Sequence, residues 1–145
     1  MARAPFQEFL MSKPVTVTVT TAAMGEDTVS LSYDGLLRVA ADGARISYTE
    51  VEDGGRTSTL ITLTKGKMTV TRRGAVDFTV TYEVGAPCAS LYRLGGMALD
   101  AHVVTEELTL LPSALPAVDC TYRLTLGGEE RHLLLSLRLS ERSNA

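Results

Sequence analysis

The chain has no tryptophan, only two cysteines and two histidines, and fewer basic than acidic residues. Each shortage removes a class of function. Two cysteines, Cys88 and Cys120, cannot build a disulfide framework, and in a reducing compartment they read as buried thiols. His102 and His132 fall short of the three or four ligands a metal site requires. Asp100 and His102 share one strand face, but the sequence offers no third ligand beside them, so they read as a solvated pair. Neither cysteine has a histidine at a diagnostic spacing. No Gly-x-Ser-x-Gly nucleophile turn and no phosphate-cradling glycine loop occurs. The reading is therefore of a protein that is not an enzyme and carries no cofactor. Fourteen Lys and Arg against 17 Asp and Glu give a net charge of −3 and an isoelectric point near 5.4. The one basic cluster is Arg72-Arg73, too little for a nucleic-acid face. No apolar run approaches the roughly 18–20 residues of a membrane-spanning helix. The stretch Met1–Lys13 mixes Arg3, Pro5, Gln7, Glu8 and Lys13 with short apolar pieces and lacks the apolar core of a secretion signal. The expectation is a soluble, cytoplasmic protein without a membrane or nucleic-acid partner.

What the chain does have is a two-residue period. Its 145 residues are 45% hydrophobic, with a mean hydropathy of +0.11, and suit one domain. Val15, Val17 and Val19 alternate with Thr16, Thr18 and Thr20. Val76, Phe78, Val80, Tyr82 and Val84 alternate with polar residues, as do Val118, Cys120, Tyr122, Leu124 and Leu126. Leu133, Leu135, Leu137 and Leu139 repeat the pattern. Alternate side chains of a strand point to opposite faces, so each strand has one dry and one wet side. Threonine suits the wet side because its branched Cβ favours extended backbone. Glycine-containing pairs separate the runs: Asp42-Gly43, Gly54-Gly55, Lys65-Gly66, Arg73-Gly74, Gly95-Gly96 and Gly127-Gly128, with a further turn at Gly25-Glu26-Asp27.

The pattern predicts strands over 14–21, 28–40, 44–51, 57–64, 67–72, 76–84, 89–94, 98–110, 117–126 and 131–140. Short hairpin links throughout favour a closed antiparallel up-and-down barrel over a Greek-key sandwich. The commitment is an all-β barrel of eight to ten strands over residues 14–140. Residues 1–13 read as an N-terminal extension whose first eleven residues are helical or loose, and 141–145 as a disordered tail. The apolar parity shifts near Val103-Val104, which predicts a bulge there. Glu106 then shares a face with Val104, Leu108 and Leu110, while Glu106-Glu107 also reads as a solvated surface.

Alternation also nominates a site. Ile46, Tyr48 and Glu50 share a face, and so do Met68, Val70 and Arg72. In a meander, strands 44–51 and 67–72 run in the same direction with one strand between them. Glu50 and Arg72 therefore finish near the same rim, roughly 10 Å apart at the backbone, within reach of long side chains. They read first as an ion pair at one barrel mouth, and alternatively as an anchor in which Arg72 offers a fork to a small anion. Tyr48, Tyr82 and Tyr122 lie on apolar faces, either filling the core or lining a ligand space. The candidate ligand-binding set is Tyr48, Glu50, Arg72, Tyr82 and Tyr122.

The run Ile46-Ser47-Tyr48-Thr49-Glu50, the segment Arg72-Arg73-Gly74-Ala75-Val76, and Gly85-Ala86 followed by Tyr92-Arg93 resemble the YwiB-like bacterial proteins. These form domain-of-unknown-function family 1934, grouped with the lipocalin-like calycin barrels. The resemblance covers roughly residues 14–140. One turn departs from the family pattern: an aromatic followed by glycine usually comes after the Tyr92-like position, where this chain has Leu94-Gly95-Gly96-Met97. The resemblance implies a barrel fold and a bacterial cytosolic setting, and no particular activity.

Two functions follow from these readings. The first is a barrel that binds a small apolar or anionic molecule in its lumen. The second is a filled barrel that serves as a structural or protein-interaction module, self-associating through apolar surface such as Leu134.

Overall fold

A computed structural model describes residues 9–52 and 55–142. Among the described residues ten strands follow one another without a helix: β1 (Phe9–Ala23), β2 (Val29–Ala40), β3 (Gly43–Glu52), β4 (Gly55–Thr64), β5 (Lys67–Gly74), β6 (Val76–Tyr82), β7 (Cys88–Leu94), β8 (Met97–Leu111), β9 (Ala117–Leu126) and β10 (Glu129–Glu141). Each pairs antiparallel with its neighbours in sequence, and β1 pairs with β10 to close the barrel. Closure gives every described strand two paired neighbours, which limits the open edges that recruit other chains.

The two-residue period sorts the side chains as the sequence implies. Val15, Val17, Leu37, Ile46, Met68, Val80, Val103, Val118 and Leu137 point inward and are fully buried. Each such side chain contributes about 1.5–3 kcal/mol by leaving water. The alternate residues form the wet wall, where hydroxyls pair across β1 and β2: Thr18 with Ser32 at 2.9 Å and Thr20 with Ser30 at 2.8 Å. On β9 and β10 the Arg138 guanidinium donates to both carboxylate oxygens of Asp119 at 3.0 Å, and Ser136 donates to the same carboxylate at 2.7 Å.

The turns define two ends. Residues 24–28, Gly74-Ala75, Gly95-Gly96 and Gly127-Gly128 lie at one end, called here the mouth; the links 41–42, 65–66, 83–87 and 112–116 lie at the other. Gly127-Gly128 joins β9 to β10 with φ of 60° and 89°, the left-handed pair that a two-residue hairpin turn takes. The expected turn at Asp42-Gly43 is shifted by one residue. Ala40 pairs with Gly43, so Ala41-Asp42 makes the turn and Gly43 opens β3. Gly54 of the Gly54-Gly55 turn lies outside the described residues.

Three expectations are corrected. Residues 9–11 are strand, not helix or loose chain: Phe9 pairs with Ala40 and Met11 with Val39, across a register shift. The two-residue pattern fades there because Met11-Ser12-Lys13-Pro14 breaks the alternation, so the pairing partner decides. Residues 1–8 lie outside the described residues. At the other terminus β10 runs to Glu141, and the Arg142 amide donates to the Pro14 carbonyl at 3.4 Å; residues 143–145 lie outside the described residues. Third, the β8 irregularity falls between Thr105 and Glu107 rather than at Val103-Val104. Thr105 stays inside, and Glu106 is the extra residue. It is carried to the outer wall, where it meets Arg123 at 2.9 Å and also His132. Arg123 holds the Glu106 carboxyl below the usual carboxylate range.

One seam is thin. β6 and β7 pair at two positions, Val76 with Leu94 and Asp77 with Arg93. Beyond them the Ser90 hydroxyl donates to the Thr79 carbonyl at 2.7 Å, and Phe78 and Tyr92 stack at 4.2 Å with planes 5° apart. Past the end of β6, Val84 bridges to Thr105 of β8.

Candidate functional site

Register places a belt of side chains around half of the lumen. Tyr48 of β3 faces Thr59 of β4, Thr59 faces Arg72 of β5, and Arg72 faces Phe78 of β6. Phe78 then stacks on Tyr92 across the thin seam. At the other end of the belt Tyr48 stacks on Tyr33 of β2 at 4.8 Å, and it faces Gly35. A Cβ on Gly35 would come within 2.7 Å of the Ser47 carbonyl oxygen, so this position takes no side chain without movement.

Glu50 stands one same-face step above Tyr48, toward the mouth. Its carboxylate Oε2 pairs with Nη2 of Arg72, with side-chain exposures of 12% and 24%. The two strands are separated by β4, and the ion pair reaches over that strand's inner face. The Arg72 guanidinium also lies 5.7 Å from the Phe78 ring centre, a cation–π contact.

Deeper in, Tyr82 of β6 and Tyr122 of β9 meet edge to face at 4.9 Å. Burial pushes both hydroxyls above their ordinary value, and for Tyr82 the neighbouring Tyr122 and Tyr92 add to the effect. Burial, then the Glu50 carboxylate, pushes Tyr48 up to about 12, while Arg72 opposes. The tyrosines are therefore neutral at physiological pH, each able to donate and to accept one hydrogen bond. The Thr59 hydroxyl is buried beside Tyr48 but makes no aligned hydrogen bond.

These groups surround a cavity of about 320 Å³. Its floor is Ile61, Met68, Val70 and Leu137, and its lip includes Val29 and Leu31, which are half exposed. All five residues nominated from the sequence, Tyr48, Glu50, Arg72, Tyr82 and Tyr122, line this one space. Sequence reasoning missed Thr59, Tyr33 and the Phe78–Tyr92 stack. Thr59 was hidden because Thr57-Ser58-Thr59 is polar on both faces. Two other hollows are shallower surface features: one of about 690 Å³ on the outer wall of β2–β5, and one of about 520 Å³ over the end opposite the mouth. The charged pair faces the lumen, so the lumen is the candidate site.

The remaining nominated groups stand elsewhere. His102 is on the exposed wall of β8, and His132 is engaged by Glu106. Both cysteines are free thiols; burial pushes Cys120 up to about 12. Among the described residues no three His, Cys, Asp or Glu side chains cluster as metal ligands.

Comparison with known proteins agrees with this architecture. An uncharacterised β-barrel protein of Bacillus subtilis strain 168, YwiB, is 23% identical over 109 residues, which cover 74% of this chain and 77% of that protein. The crystal structure of the Bacillus subtilis YwiB protein superposes with a TM-score of 0.78 at 19% identity, covering 91% of this chain and 94% of that one. At that identity the likeness establishes the fold. The profile of a domain of unknown function, DUF1934, matches residues 15–136, and the chain belongs to that family.

Proposed function

We propose that this chain is a binding barrel that holds one small molecule in the mouth half of its lumen. The observation that carries the reading is the uneven filling of the interior. Aliphatic side chains pack the half away from the mouth, whereas about 320 Å³ remains between the tyrosines and the ion pair at the mouth. That volume is at the lower end of the range for small-molecule sites. Its walls are mostly apolar and aromatic, with a few convergent polar groups to orient a guest. Arg72 is already neutralised by Glu50, so a lone anion gains less here than an unpaired arginine would offer. A molecule without net charge and with a substantial apolar part fits better. An ion pair and neutral phenols suit holding a molecule rather than breaking its bonds, which supports a non-catalytic role. Two unbridged cysteines favour a cytoplasmic setting.

Native mass spectrometry of protein purified gently from its own host tests this. A discrete added mass that disappears on denaturation is expected. A bare protein mass under all conditions would contradict it.

A second reading has its own observation. Met24, Val29, Leu31, Val51 and Met97 are each more than half exposed and all lie at the mouth. A second copy seated there would cover this apolar rim and make the barrel a self-associating module. Sedimentation velocity over a wide concentration range decides: a concentration-dependent dimer supports this reading, and a monomer throughout rejects it.

A further inference from the structure

We infer that the guest is a zwitterion, an α-amino acid with an apolar or aromatic side chain. The inference rests on the lumen being a binding site and concerns the chemistry of what enters.

Opposite charges stand side by side at the mouth, and the contact between them uses one atom of each, Arg72 Nη2 and Glu50 Oε2. A guanidinium carries five N–H donors and a carboxylate about four acceptor sites. Among the described residues, Nη1 and Nε of Arg72 and Oε1 of Glu50 have no further hydrogen bond. Thr59, 3% exposed, lines the same space with its hydroxyl beside Tyr48. Both residues of the ion pair line the cavity, so donors of positive character and acceptors of negative character stand within one small area of its wall.

A monocarboxylate would place two negative groups on one guanidinium, leaving an unbalanced charge in a half-buried site. A monoamine would add a second cation beside Arg72. An uncharged apolar molecule would leave the free N–H groups and Oε1 against a surface that bonds to none of them. A zwitterion leaves the lumen neutral. Its carboxylate takes the free edge of Arg72, its ammonium takes Oε1 of Glu50, and the existing Arg72–Glu50 contact stays intact. The four charges then alternate around a closed ring of charge-assisted hydrogen bonds.

The rest of the cavity accepts the side chain. Below the ion pair lie the Tyr82 and Tyr122 rings and the Ile61 and Met68 floor. At about 30 Å³ per water-sized atom, the cavity admits on the order of ten non-hydrogen atoms, the size of leucine or phenylalanine.

The methionines give a direct readout. Of the chain's five, Met68 is fully buried on the cavity floor, whereas Met24 and Met97 are exposed at the mouth turns. Full-length protein with isotope-labelled methionine methyls is titrated by NMR with L-phenylalanine, hydrocinnamate, phenethylamine and toluene. L-phenylalanine is expected to shift the Met68 methyl saturably, with an affinity at least about tenfold above either singly charged analogue. Glu50→Gln should weaken phenylalanine by about tenfold without weakening hydrocinnamate. If hydrocinnamate binds as tightly as phenylalanine, or toluene alone moves Met68, the zwitterion inference falls and the binding-barrel reading stands. If none of the four moves Met68, the zwitterion inference falls, and native mass spectrometry, which assumes no guest, decides the binding-barrel reading.

Discussion

Glu50 and Arg72 stand on strands that are not hydrogen-bonded neighbours, yet their carboxylate and guanidinium meet across the inner face of the strand between them. Thr59 of β4 lies directly opposite Arg72 in register, and Glu50 lies opposite Thr57. The pair thus ties three strands at the mouth, where hairpin ends would otherwise splay.

Breaking that tie should be costly. Arg72→Ala leaves the Glu50 carboxylate in a site that is 12% exposed. A loss of roughly 3 kcal/mol is expected, the lower end for a broken buried pair because both partners retain some exposure. For a chain of this length that is a fall in Tm of roughly 6–12 °C. The double change Glu50→Leu with Arg72→Met should recover most of it, since apolar replacement of both partners is often neutral. A melting curve unchanged by Arg72→Ala contradicts the pairing.

Alkaline pH should unfold the barrel through its tyrosines. Unfolded tyrosine ionises near 10, whereas burial pushes Tyr48 up to about 12 and Tyr92 further still. The folded-state values are raised, so their stabilising contribution is complete below pH 10. It is lost as pH climbs from 10 toward 12, because the unfolded chain releases those protons first. Chemical denaturation at a series of pH values checks the slope, and spectrophotometric titration should show part of the tyrosine set ionising late. Ionisation of all five tyrosines together near 10 would contradict their burial.

Cys120 should be silent toward thiol reagents. It is buried, and its thiol is held neutral far above physiological pH, so little thiolate is available to react. Peptide mapping after alkylation of the native protein should find Cys120 unmodified, with any label on the half-buried Cys88. In denaturant both should react. Rapid native labelling of Cys120 would place it wrongly.

Gly74→Ala should destabilise the mouth. Gly74 has φ of +139°, and an added Cβ would lie 2.0 Å from the Arg56 carbonyl oxygen on β4. Backbone must move to admit it, at a cost of roughly 2–4 kcal/mol. Gly66→Ala is the control: its φ is also positive at +75°, but no atom stands within 4 Å of the added Cβ. A smaller loss is expected there. Equal melting temperatures for the two variants would contradict the close approach at Gly74.

The sequence already carries the barrel because its information is local. Period-two alternation and glycine turns recur along most of the chain, and hairpin order leaves few topologies. The same logic places Glu50 and Arg72 at one rim: strand parity sets the face, and meander order sets the direction. What escaped it depends on two strands at once. The ladder between β6 and β7 stops after Asp77–Arg93, a property of neither strand alone. The Phe78–Tyr92 stack forms at the point where the hydrogen bonds stop. Residues 9–11 join β1 because β2 extends to Ala40 beside them, not through their own pattern. The bulge is an intermediate case. A parity break near Val103 was visible, but outer-wall partners, Arg123 and His132, determine that Glu106 is the residue expelled.

Crystals pressurised with xenon test whether the mouth half of the lumen is open to a guest without assuming what that guest is. Xenon fills apolar cavities that have room for it. Xenon density is expected among Ile61, Met68, Tyr82 and Leu137, with the Arg72–Glu50 pair intact above it. A lumen that takes up no xenon, its side chains packed across the space, would rule out an open lumen and leave a filled barrel whose business is with other proteins.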